Sequence, residues 1–411
     1  MKHYKYWFLE WILDEKAQKA YFCGANLNML YQYDLEKNSV KSLGAFPHMP
    51  VSNQLFRGGV IYQNKLYFPP RMAARMGIYD IEKKEFRTKD IYAEIAGEKE
   101  RFTPNDTGFI SVKYQEKKAF FVYRSTPFCV VMDLEHESIS YITCKETGDV
   151  SFLGMDYCIF GDFLISPIIN RNKILFLNMK EETIEIRDLP INSDDSCCSF
   201  DLDDDGRLYL LTCKEPFVLS WNPWTNEAIN ETQLPLDSII YEQGYWIRKS
   251  GNSIHIFPGL DTQGKNGRAF WVDLLTGQVK EISIFEKYKK YIKWSLISQN
   301  GKHIYAMVSS GQDIFFSDEL IFVEYDWVHN RISERELPLP QDTSEQKMAQ
   351  SIMSYQELVR FRYVIDYVLI YTENEYLPFS GWLNGFKRFD ANNSDIKEIS
   401  GIGKKIYMSF L

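Results

Sequence analysis

The stretch Leu30-Tyr-Gln-Tyr-Asp-Leu-Glu-Lys-Asn-Ser-Val-Lys-Ser-Leu43 decides the fold. Apolar and polar residues alternate up to Asp34, a short turn-prone run follows, and alternation resumes at Ser39. A period of two, broken by a brief polar turn, is what two antiparallel strands joined by a hairpin require. An acid suits the start of the turn because its side chain accepts N–H bonds from residues just downstream.

The pattern returns with register marks at Asp80, Asp133, Asn178, Asn222, Asp273, Asp326 and Asp390, at a mean spacing of about 51 residues. A second mark, a turn dipeptide followed by an apolar strand, precedes the compact copies at Gln63-Asn64, Gly161-Asp162 and Asp205-Gly206, and the later ones at Ser250-Gly251 and Asn300-Gly301. Two marks in one register give four strands per unit, lettered A to D from hub to rim. The Tyr-Asp pairs Tyr33-Asp34, Tyr79-Asp80 and Tyr325-Asp326, two of them followed by Asn38 and Asn330, resemble the turn of the kelch-type β-propeller family. The paired glycines that the family carries on strand B are absent here, and Gly58-Gly59 stands on strand A instead.

The expectation is therefore one all-β domain over residues 1–411, a β-propeller of four-stranded antiparallel blades. Eight registers predict eight blades, with seven as the alternative: units 1–44, 52–91, 107–143, 151–188, 196–234, 239–284, 291–337 and 357–400, and a closing strand 401–411. Residues 342–355 carry helical spacing in Met348, Ile352 and Tyr355, which predicts a short helix before the last blade. A chain of 411 residues without a linker fits a repeat architecture, since one undivided core rarely exceeds about 250 to 300 residues.

The formal charge of −9 argues against a nucleic-acid partner, which needs a basic stripe. No run approaches the roughly 20 apolar residues of a membrane span. Seven cysteines without C-x-x-C spacing point to a reducing, cytoplasmic setting. The adjacent Cys197 and Cys198 read either as a redox pair or as ordinary thiols. Six histidines lack the spacing of a metal centre, and Asp201-Leu-Asp-Asp-Asp-Gly206 opens like a calcium loop but has Thr212 where the closing acid belongs, so it reads as a hairpin. Neither a metal nor a cofactor is expected.

In this strand order the B-to-C loops and D-to-A connections share one face, and the A-to-B and C-to-D hairpins share the other. Long segments at 258–268, 309–319 and 374–384 fall on the first face. So do the cations Arg71, Arg75, Arg124, Arg171, Lys214 and Arg268, with Tyr376, Phe379, Trp382 and His48 beside them. Forked guanidinium groups suit carboxylates and phosphates, and aromatic rings suit sugar faces or partner side chains. Solvated loops are also often charged, which is the plainer reading of the same residues. The ligand-binding candidates are Arg71, Arg75, Arg124, Arg171, Arg268, Tyr376, Trp382 and His48. They suggest a non-catalytic scaffold binding a protein partner or a small anionic or sugar-like ligand. The alternative is a lyase or hydrolase acting on a carbohydrate or peptide-like substrate in the hub pocket of that face. No nucleophile elbow or metal-hydrolase motif names a catalytic residue.

Overall fold

The computed structural model describes residues 10–24, 29–47, 55–91 except 72 and 74, 108–124, 128–143, 153, 157–168, 171–236, 245–258, 268–282, 287, 293–300, 303–309, 320–335 and 338. Within them the alternating stretches form 28 strands in seven antiparallel four-stranded sheets. Blade 1 runs β1 (Ile12–Asp14), β2 (Lys19–Cys23), β3 (Leu30–Asp34) and β4 (Ser39–Gly44), each strand paired with the next. Residues 60–89, 109–143, 158–188, 197–233, 245–282 and 293–335 repeat this meander as blades 2 to 7.

The register marks do the same work in every blade. Asp34 Oδ1 accepts the Lys37 N–H, and Asp80, Asp133, Asn178, Asn222, Asp273 and Asp326 each accept the N–H groups two and three residues on. Four residues after each mark the backbone turns left-handed, at Asn38, Lys84, Glu137, Glu182, Asn226, Gly277 and Asn330. Asparagine tolerates that conformation and adds a bond: Asn38 Oδ1 accepts from the Tyr33 hydroxyl at 2.7 Å and Asn330 from Tyr325 at 2.9 Å. The Tyr-Asp and trailing Asn of the sequence are thus a single hydrogen-bonded turn.

Seven apolar clusters fill seven interfaces, one between each pair of neighbouring blades. The seventh corrects the expected blade count. Trp11, Phe22, Tyr31 and Tyr33 of the first unit pack directly on Tyr305 and Phe322 of blade 7, with the Trp11 ring 4.9 Å from Tyr305 and 5.5 Å from Phe322. Blade 7 therefore closes the ring on blade 1, and the propeller has seven blades, not eight. No α-helix occurs among the described residues. The predicted helix at 342–355, the eighth unit at 357–400 and the strand at 401–411 lie outside them.

Candidate functional site

Among the described residues, a gathering of charge stands where the innermost strands of blades 1 to 3 begin, on the face of the B-to-C loops. Glu10 enters β1, Arg57 precedes strand A of blade 2, and Arg71 and Arg124 follow strand B of blades 2 and 3. Backbone pairing continues past the strand ends to hold them. Phe56 bridges Pro70, the Arg71 N–H reaches Leu55 O at 2.7 Å, and the Arg124 N–H reaches Gly108 O at 3.1 Å. Arg57 Nε donates to Glu10 Oε1 at 2.5 Å, and an Arg124 terminal nitrogen stands 3.8 Å from the same oxygen.

Burial makes this charge expensive. Arg57 is 7% exposed and Arg124 3%, while Glu10 keeps 26%. Glycines make the approach feasible. A Cβ on Gly58, which has φ +61°, would stand 2.5 Å from Glu10 Oε2, and one on Gly108 would touch Arg57 Cβ and Arg71 Cγ at 3.7 and 3.5 Å. Arg57 and Arg124 thus stand at the Glu10 carboxylate, and the Arg71 stem passes the same corner beside Gly108 and Arg57. Desolvated, forked donors gathered at one corner suit an anion with two oxygens.

Sequence reading named Arg71 and Arg124 for this face and missed Glu10 and Arg57. A signal existed: Glu10 interrupts the apolar run Trp7-Phe-Leu-Glu-Trp-Ile-Leu13, and Arg57 precedes the displaced glycine pair. Other candidates stand apart. Arg268 binds Glu281 Oε2 at 3.0 Å and Pro235 O at 3.2 Å, and Lys214 binds Asp194 at 2.6 Å, so each is engaged within or beside its own blade. Arg171 is exposed beyond strand B of blade 4 and Arg75 is half-buried beyond strand B of blade 2. His48, Tyr376, Phe379 and Trp382 lie outside the described residues.

Packing places three further sequence candidates. His255, considered for the loop face, sits 8% exposed between blades 6 and 7, its ring 5.8 Å from Trp327. Burial pushes its imidazole down to about 4, leaving it neutral at pH 7. Cys197 and Cys198 point into different interfaces, blades 4–5 and 5–6. Cys198 Sγ donates to Leu211 O at 3.4 Å and lies against Cys213; that contact holds Cys213 below the ordinary thiol range, while burial raises Cys198. Of the calcium-like loop, Asp201 accepts the Lys249 N–H at 2.7 Å, and Asp203 accepts those of Asp205 and Arg207. Both carboxylates serve the backbone.

No protein-family model and no curated protein matches the chain. Solved structures do. It is similar to virginiamycin B lyase from Staphylococcus aureus (TM-score 0.50, 11% identity, covering 73% of this chain and 90% of that one). It is also similar to a puromycin hydrolase (TM-score 0.51, 12% identity, 82% of this chain and 55% of that one). Dihydro-heme d1 dehydrogenase NirN is a third (TM-score 0.50, 12% identity, 80% and 65%). At such identity the likeness shows the propeller fold alone.

Proposed function

We propose that the chain is a recognition scaffold whose loop-bearing face takes an anionic group, a carboxylate or phosphate carried by a protein partner or a small molecule. The observation that carries this reading is the gathering of Arg57, Arg71 and Arg124 beside Glu10 at one corner of that face. Buried guanidinium groups held by backbone pairing are ordered before a ligand arrives, which lowers the entropic cost of binding. The Tyr33–Asn38 and Tyr325–Asn330 bonds support a kelch-type relation as part of the same reading.

Isothermal titration with citrate, inorganic pyrophosphate and an acidic peptide tests it. Saturable binding of at least one probe is expected, weakened by about 1 to 3 kcal/mol in Arg71→Gln. No binding by any probe would remove the reading. Chemical conversion of a bound peptide or glycan would move the chain to the enzyme alternative; two of the fold neighbours are named a virginiamycin B lyase and a puromycin hydrolase.

A further inference from the structure

The hairpin face carries a second feature, independent of the arginine cluster. Two residues after the register mark, the first four blades place charges: Glu36, Glu82, Glu135 and Lys180. The last three place Trp224, Leu275 and Val328, which are 40%, 76% and 50% exposed. The turns are otherwise alike, with the same acceptor bonds and the same left-handed residue, so turn geometry does not demand the exchange. Solvated surface would be served by the charged residues of blades 1 to 4.

Trp224 is the anchor of this arc. Its ring lies 5.0 Å from Phe163, 5.9 Å from Phe176 and 6.1 Å from Phe160. The Arg187 guanidinium stands 5.5 Å from it, fixed by two 2.8 Å bonds to Glu185 and a 3.0 Å bond to Pro223 O. Exposed yet immobilised on four sides, the indole loses little freedom when a partner covers it, the property of interface hot spots. Ile159, 46% exposed, extends the apolar surface toward the hub.

Charge identifies the occupant. Arg187 is already neutralised by Glu185, whereas the neighbouring A-to-B turn of blade 5 presents exposed Asp204 and Asp205. That turn abuts the same cluster, since a Cβ on Gly206 would stand 2.5 Å from the Phe160 ring. We propose that the hairpin face of blades 4 to 7 docks a protein segment that is both apolar and basic, its apolar side chains on Trp224 and the arc beyond, its Lys or Arg on Asp204 and Asp205. Complementary charge sets orientation and encounter rate, and the aromatic anchor supplies most of the affinity.

The test is panning of a random peptide display library on the full chain, with depletion on a Trp224→Ala variant. Enriched peptides are then synthesised and titrated by fluorescence anisotropy. The proposal expects apolar peptides carrying Lys or Arg that lose about tenfold in affinity on Trp224→Ala and about threefold on the Asp204→Asn/Asp205→Asn double variant. Leu275→Ser changes a side chain that is 76% exposed, so it reports on the arc without threatening the fold. Four outcomes would overturn the proposal: no enrichment, enrichment of acidic peptides, peptides indifferent to all three variants, or a homodimer in sedimentation that Trp224→Ala disperses. The last would make a second copy of the chain the occupant.

Discussion

Replacing Trp11 with Ala removes the ring on which blade 1 meets blade 7. Trp11 is 6% exposed, and its neighbours across the closure are Tyr305 and Phe322 at 4.9 and 5.5 Å. A large aromatic buries up to about 250 Å². At roughly 25 cal/mol per Å², less what alanine still buries, the loss comes to about 4 kcal/mol, inside the range for aromatic truncations in cores. Urea unfolding followed by far-ultraviolet circular dichroism gives the value, with Trp224→Ala as comparator because that ring is 40% exposed and lies on the opposite side of the ring from the closure. A double-mutant cycle of Trp11 with Tyr305 then isolates the closure itself, with a coupling of about 1 kcal/mol expected for a packed aromatic pair. Zero coupling, or a Trp11→Ala loss no larger than that of Trp224→Ala, would refute direct closure of blade 7 on blade 1.

Other outcomes follow from the same geometry. Lys84, at φ +58°, should tolerate glycine with a gain of about 0.5 kcal/mol, while Gly277→Ala, at φ +69°, should lose about 1 kcal/mol, both read by thermal unfolding. Glu137 of blade 3 binds Lys65 at 3.1 Å and Arg87 of blade 2; burial opposes its ionisation, but these cations outweigh burial and hold its carboxyl down to about 2. Because the folded value lies below the ordinary 4.5, its contribution is present above pH 4.5 and fades as pH falls toward 2, so Glu137→Gln should flatten that part of the stability profile. Calcium should leave the melting temperature unchanged, since Asp201 and Asp203 already hold backbone N–H groups; a rise of several degrees would show a site there.

The blade itself was legible because its determinants are local. Asp34 and its equivalents act within three residues, and alternation of buried and exposed positions needs only the strand period. The number of blades was not, because it depends on which faces meet. A register at Asp390 resembles the other seven, yet the aromatic face that an eighth blade would cover is already taken by Tyr305 and Phe322. The site was half legible for a related reason. Arg71 and Arg124 follow strand B in their own units, but Glu10 and Arg57 stand 47 residues apart and meet only because consecutive innermost strands converge at the hub. Charge alone also misled. Arg268 and Lys214 share the loop position of Arg71 and Arg124, and their acids, Glu281 and Asp194, become visible only when the strands are folded together.

Anomalous diffraction from a crystal soaked in sodium tungstate locates an anion site on the loop-bearing face, because a tetrahedral dianion reports where forked cations converge and its metal is located without bias. A peak is expected within hydrogen-bonding reach of Arg57, Arg71 and Arg124, lost in crystals of Arg71→Gln. Ordered tungstate elsewhere with this cluster empty, or a peak that persists unchanged in the variant, would contradict an anion site at these arginines.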